Sequence, residues 1–425
     1  MASACCLQAR FPGISETALI SLAAPKTALK WSKVSREKER SMTRIAISRD
    51  MLRWAQDRSQ IEPEDLRLRF AKLPEWEAGD IRPTLKQLEK FAKAVHVPIG
   101  YLFLPEPPDE QIPIPDFRTF DNREVRRPSP NLLEMIYHCQ ERQSWYKEFA
   151  QVSRQEPREF IGSLNMDMNP VDAADAIRTY IGFDLETREE SNTWEEALRL
   201  IIKLADQAGV LVMVSGVVLS NNTRKLDPQE FRGFALADPL APLVFINGSD
   251  SKSGQMFTLS HELAHLWLNS SGISNVSGRS LNGFPREEVW CNAVAAELLV
   301  PMSAFRPALR EGETIDQIKS RLSRMFKVSG LVILRRLLDA KWFSRAEFEQ
   351  AWQQEKGRLR EIAGRSGSGG DFYRTTVSRV SRRFTQALVV STLEGQTLYR
   401  DAFRMLGVAK TETFNKLGRE VGVMR

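Results

Sequence analysis

Apolar residues recur every three to four positions through most of the chain, the spacing of helices that bury one face. They do so in RDMLRWAQDRS (49–59) and again in LKQLEKFAKAVHVPIGYLFL (85–104). Gly79 and Pro83 mark the turn between these segments, and Thr84 is placed to cap the second. PEPPDEQIPIPDFRT (105–119) is too rich in proline for a helix or a central strand and predicts an extended linker at a domain boundary. Helical spacing resumes from NLLEMIYHCQERQSWYKEFAQ (131–151) to TWEEALRLIIKLADQAG (193–209). Three runs then change character to strand: VLVMVSGVV (210–218), GFALAD (233–238) and LVFIN (243–247). A strongly apolar helix follows at once, another spans about 286–299 and stops at Pro301, and helical segments continue past a Gly/Ser linker at GRSGSGGD (364–371). The pattern predicts a mainly helical α+β protein with one short sheet and no internal repeat.

The helix after the third strand carries the chemistry. FTLSHELAHLWLN (257–269) holds two of the chain's four histidines, four residues apart, with Glu262 directly after the first. On a helix, residues i and i+4 lie one above the other, so His261 and His265 can offer imidazole nitrogens to one ion about 2.0–2.1 Å away. Glu262 projects about 100° round the helix, where it meets a water on that ion rather than the ion itself. A catalytic zinc needs a third protein ligand, and no histidine follows His265. A carboxylate must supply it, and PREEVWCNAVAAELLVP (285–301) offers Glu287 and Glu288. The Glu288 face continues through Cys291, Asn292, Ala295, Ala296 and Leu299, mostly small residues that admit a neighbouring helix, whereas Glu287 continues through Trp290, Val294 and Leu298. Glu288 is therefore the expected ligand, with Asn292 placed to orient a ligand histidine through its second nitrogen. Zn2+ is the expected ion, and Mn2+ is compatible with two imidazoles and a carboxylate. Tyr373 is a candidate oxyanion donor, and the Cys291 thiol beside the ion is a candidate redox-sensitive group.

Composition changes this picture little. The chain has 425 residues, 42% hydrophobic and 27% charged, an ordinary globular balance for two or three domains. No apolar run approaches the roughly 18–20 residues of a membrane helix. Four cysteines, Cys5, Cys6, Cys139 and Cys291, show neither a zinc spacing nor a disulfide density, and a cytoplasmic setting is expected. The net charge of +6 is concentrated at the start: residues 1–50 hold nine Lys/Arg against four Asp/Glu. Residues 1–42 read as a disordered basic leader, and Met42 opens a cleaner helical sequence.

FINGSDSKSGQMFTLSHELAHLWL followed by EVWCNAVAAELLVP resembles the ImmA/IrrE family of metallo-endopeptidases, with a strand, an H-E-x-x-H helix and an E-x-x-x-N helix ending in A-A-E-L-L-x-P. WEAGDIRPTLKQLEKFAKAVHVPIGYLFLPEPP resembles the Cro/repressor-type helix-turn-helix found ahead of such peptidases. The resemblance covers roughly residues 43–400. It implies a zincin-like gluzincin core over 206–340, preceded by a helix-turn-helix-like domain (43–104), a Pro-rich linker (105–128) and a helical segment (129–205), and followed by a helical lobe (341–425). It implies zinc-dependent cleavage of a DNA-binding repressor, which derepresses stress or mobile-element genes, with His261, His265 and Glu288 as ligands and Glu262 as base. LVFIN is expected to pair with an extended substrate by edge addition.

The N-terminal module departs from the family pattern. The span Leu66–Trp76 is about one helical turn short for a helix that reads the major groove, and Pro74 sits where that helix should continue. Residues 43–104 are therefore expected to recognise a helix-turn-helix repressor protein rather than DNA. A DNA-binding regulator or antitoxin whose zinc lobe senses or scaffolds, and a pure interaction adaptor, are the alternatives; the intact ligand set and base favour the peptidase.

Overall fold

The computed structural model describes residues 44–116, 128–274, 285–365 and 371–424. The expected leader, the second half of the Pro-rich linker and most of the Gly/Ser linker lie outside these residues.

Residues 44–104 form a helical module: α1 (Arg49–Ser59), α2 (Pro63–Arg69), α3 (Leu73–Ala78), α4 (Leu85–Ala94) and a 3-10 turn at Ile99–Phe103. Met51, Leu52, Leu66, Trp76, Leu88 and Phe91 close a core of its own. Thr84 caps α4 in a reciprocal box with Gln87, satisfying backbone donors at its start. Pro74 does not interrupt a longer helix. It sits in the first turn of α3, where its missing N–H has no intrahelical partner to lose, and the break falls at 70–72. The result is an α3 of only 6 residues. From this module the Pro-rich segment runs out tethered by Arg58, whose guanidinium pairs with Glu110 at 2.8 Å and donates to His96 O at 2.8 Å.

The remainder is built on a four-stranded mixed sheet. Helices α5 (Pro130–Val152), α6 (Pro170–Ile181), α7 (Leu185–Glu189) and α8 (Trp194–Ala208) lead into β1 (Leu211–Ser215). A separate hairpin of β2 (Val217–Val218) and β3 (Asn221–Lys225) precedes β4 (Gly233–Leu236) and β5 (Leu243–Asn247). Next come α9 (Lys252–Trp267) and β6 (Gly272–Ser274). The order is β1-β5-β4-β6, with β1 parallel to β5 and the other two pairs antiparallel. β5 is thus interior, paired on both sides, and LVFIN has no free edge to offer a substrate; its apolar run is that of a central strand. β6 ends the sheet, and there the Pro-rich segment lies alongside: Ile273 N–H donates to Pro115 O at 3.0 Å, and Ile114 is buried.

Because successive strand residues point to opposite faces, the sheet divides two cores. Val212, Ala235, Val244 and Ile246 face α8, α9 and α10 (Arg286–Leu299), with α11 (Met302–Phe305), α12 (Ile315–Phe326), α13 (Gly330–Asp339) and α14 (Arg345–Arg365) packed beyond. Leu211, Met213, Phe234, Leu236 and Phe245 face α5 and the C-terminal helices α15 (Phe372–Val380), α16 (Arg382–Leu393), α17 (Tyr399–Leu406) and α18 (Thr411–Glu420). Among the described residues no helix is long and apolar enough to cross a membrane.

Candidate metal centre

The centre is made where α9 and α10 pack against each other on one face of the sheet. α9 starts at Ser251, whose hydroxyl accepts from Gly254 N–H, and is buried along nearly its whole length. A helix buried on all sides has no need of polar residues, so its two imidazoles and one carboxylate demand another explanation. The small side chains of Ala295 and Cys291 on α10 let that helix close in.

The distances converge on one point. His261 Nε2 and His265 Nε2 are 3.0 Å apart, and the Glu288 carboxylate reaches them at 3.3 and 3.1 Å. The three groups, all buried, have their ligand atoms within 4.8 Å of one another. His265 Nδ1 is 2.9 Å from Glu287 Oε1. With its Nδ1–H donated there, His265 presents a lone pair at Nε2. Asn292 approaches His261, whose Nδ1 has no hydrogen-bond partner among the described residues. Three such groups at these distances share either protons or a cation. Two imidazoles and one carboxylate are a donor set that fits a catalytic zinc.

The two carboxylates differ in their surroundings. Burial raises a carboxyl's pKa, yet His261 and His265 outweigh it at Glu288 and hold that group down at about 2. At Glu262 burial dominates and pushes the pKa up to about 8. Among the described residues neither Glu262 oxygen has a hydrogen-bond partner, though Ser274 approaches from β6. A carboxylate with free lone pairs and a pKa near neutrality is suited to take up and return a proton.

His261, His265 and Glu288 are brought together, Glu262 stands beside them, and Asn292 sits behind His261. Glu287, which its bulky helix face sets aside as a ligand, instead orients His265; its carboxyl lies below its ordinary pKa because of that hydrogen bond. Tyr373 is not in this centre. It packs on the other face of the sheet, 5.2 Å from the Phe372 ring and 5.6 Å from Lys416 Nζ, so its phenol cannot serve a carbonyl attacked at Glu262. Cys291 lies against His265 but is fully buried, and burial pushes its thiol pKa up. Redox-active cysteines occupy the opposite setting, accessible and thiolate-favouring.

Gly233 is not legible in the sequence as a site residue. A Cβ there would meet Thr258 Cγ2 at 2.5 Å, Phe245 O at 2.9 Å and Glu262 Oε1 at 3.2 Å. Only glycine lets β4 pass this close beneath Glu262. The one signal available is a glycine opening a strand, which is common for other reasons.

Residues 205–338 match the IrrE N-terminal-like domain. The match, to a peptidase family, covers α9, α10 and every group of the metal centre, and supports a metallopeptidase-like protein of the ImmA/IrrE type. Residues 380–420, in the helices beyond the IrrE N-terminal-like domain, match a domain of unknown function (DUF8813). No curated protein and no solved structure matches the chain.

Proposed function

We propose that the chain is a zinc-dependent endopeptidase of the gluzincin type, acting in the cytoplasm, that cleaves a DNA-binding repressor and so derepresses stress or mobile-element genes. The observation that carries the peptidase reading is the convergence of His261, His265 and Glu288 within 4.8 Å inside the matched domain, with Glu262 buried beside them and, among the described residues, without a hydrogen-bond partner. His261, His265 and Glu288 hold the ion, and manganese can replace zinc in such a donor set. A bound zinc supplies Lewis acidity here, lowering the pKa of a water and polarising a substrate carbonyl. Glu262 accepts the proton of the attacking water at its carboxylate and delivers it to the leaving amine. Glu287 and Asn292 keep the imidazoles turned so that their Nε2 atoms face the centre.

The repressor as substrate rests on the N-terminal module. Its α3 is 6 residues long and begins with Leu73, Pro74 and Glu75, of which Leu73 is buried. A reading helix contacts base edges with its first residues, and these offer an apolar side chain, a ring without an N–H and a negative charge. A protein surface is better matched to them, and we assign the module to docking a helix-turn-helix partner. Co-expression with candidate repressors from the same genome tests both parts. Fragments of one repressor, seen by mass spectrometry with the wild type and missing with Glu262→Gln, are expected. Equal fragments from both would remove Glu262 from the reaction. Loss of cleavage in a chain starting near residue 120 would place recognition in the module.

A further inference from the structure

β1 is the other end of the sheet, and beside it the two covering layers part. α8 packs on one face and α15 and α16 on the other, leaving a half-open concavity of about 460 Å³ floored by Ile202, Val212 and Val377. That volume falls in the range of small-ligand sites, roughly 300–1,000 Å³. Its wall is strongly cationic: Arg199 and Lys203 from α8, Arg374 from α15, and Arg382 and Arg383 from α16, against Asp206 and Glu420.

Asp206, beside Arg382 and Arg383, and Glu420, beside Arg374, offset only part of this charge. Arg199 and Lys203, one turn apart on α8, have no carboxylate partner among the described residues. Arg382 is held by main-chain carbonyls, Glu420 O and Val421 O, both at 3.1 Å. Arg383 likewise donates to Asp206 O at 2.8 Å and Gln207 O at 3.3 Å. The Asp206 carboxylate fixes the start of α16, accepting from Arg383 N–H at 3.1 Å and from Ser381 Oγ at 3.2 Å. Arg374 has only a 3.5 Å pairing with Glu420. Five cations gathered round one apolar-floored hollow repel each other, and two of them open the N-terminal turn of α16, the end of a helix that favours negative charge. An anion in the hollow relieves both.

We propose that this concavity binds a small phosphorylated molecule of nucleotide size, its phosphates met by Arg199, Lys203, Arg374 and Arg382 and its ring or apolar body resting on Ile202, Val212 and Val377. A hollow with an apolar floor suits one compact ligand rather than a strand of nucleic acid, which takes a long track of charge and stacking rings. The site lies where the peptidase domain meets the C-terminal lobe, so an occupant bridges the two and stabilises their contact.

The test uses the full chain, calorimetry and thermal melting, with ATP, pyrophosphate and inorganic phosphate as probes and a single-stranded oligonucleotide as a competing arm. ATP is expected to bind and to raise the melting temperature, with phosphate the weakest of the three. Arg199→Glu/Lys203→Glu is expected to weaken ATP at least about tenfold, since charge-assisted hydrogen bonds are lost and repulsion replaces them. Its metal content stays that of the wild type, which separates this site from phosphate ligation at the metal centre. Arg374→Gln, a milder change at an exposed position, is expected to weaken ATP in the same direction. The proposal is overturned if no phosphorylated probe binds at millimolar concentration, or if both variants bind ATP as the wild type does. An oligonucleotide that binds more tightly than ATP and is lost in the double variant would make the surface a nucleic-acid contact and overturn the small-ligand assignment.

Discussion

Two ionisable groups buried on opposite faces of the sheet are treated in opposite ways. On the face toward α5 and the C-terminal helices, the buried guanidinium of Arg142 donates twice to Met405 O, at 3.1 and 2.9 Å, and locks α5 to the end of α17. On the face toward α9 and α10, the equally buried Glu262 carboxyl has neither oxygen in a hydrogen bond among the described residues, and the same holds for His261 Nδ1 and the Asn292 amide oxygen. Both groups bear the desolvation penalty of burial, but only Arg142 offsets it inside the protein. A buried group with its bonds made holds structure together, as Arg188 also does with Leu299 O and Phe326 O on the α9 side. A buried carboxyl kept open is there for something that comes and goes.

The sharpest way to break this contrast is to remove the open carboxyl. Glu262→Gln is expected to lower the cleavage rate on the order of 10²–10⁴-fold while metal content and melting temperature stay close to those of the wild type, because the amide matches the carboxyl in size and burial already favours the neutral form. His261→Ala is expected to lose the metal, and elemental analysis showing full occupancy in that variant would sink the ligand assignment. Gly233→Val attacks the same carboxylate from β4. Displacing Glu262 by about 1 Å is expected to cost about 100-fold in rate with the metal retained, and undiminished activity would show that the close approach is without consequence.

The ligand shell is graded more finely. Glu288→Ala is expected to release the metal, whereas Glu287→Ala, which frees the His265 ring without removing a donor, is expected to weaken it by about 10–100-fold. Equal losses measured by chelator competition would erase the distinction between holding the ion and orienting its holder. On the opposite face, Arg142→Met is expected to destabilise the fold by about 1–3 kcal/mol in urea melts, since Met405 O is left unpaired. Metal bound per folded molecule stays unchanged, and a drop in metal affinity there would mean that the two faces are coupled. Tyr373→Phe is expected to change the cleavage rate within experimental error, as its phenol lies on the far side of the sheet.

Where the chemistry follows from one element's own geometry, local sequence is enough. The i, i+4 spacing of His261 and His265 places both imidazoles on one face, and the run of small residues from Glu288 through Ala295 marks the side of α10 that approaches them. LVFIN is legible as a strand from its apolar run, yet it lies in the interior of the sheet and not at the expected edge, because a local pattern says nothing about which neighbours a strand acquires. Pro74 suggests a break because proline interrupts helix interiors. Its position in a first turn depends on where α3 begins, which is set by how Leu73 and Trp76 pack.

What the sequence by itself determined is therefore the α+β class, the H-E-x-x-H helix and the carboxylate helix that answers it, because helix periodicity and residue volume are written into short stretches of chain. Tertiary structure alone decided that Glu287 orients His265, that Gly233 makes room for Glu262, that Tyr373 stands on the wrong face, that the Pro-rich segment borders β6, and that cations from α8, α15 and α16 share one hollow. Each of these depends on how separate elements pack against one another, and the spacing of residues within a single helix or strand carries no record of the partner that packing will bring.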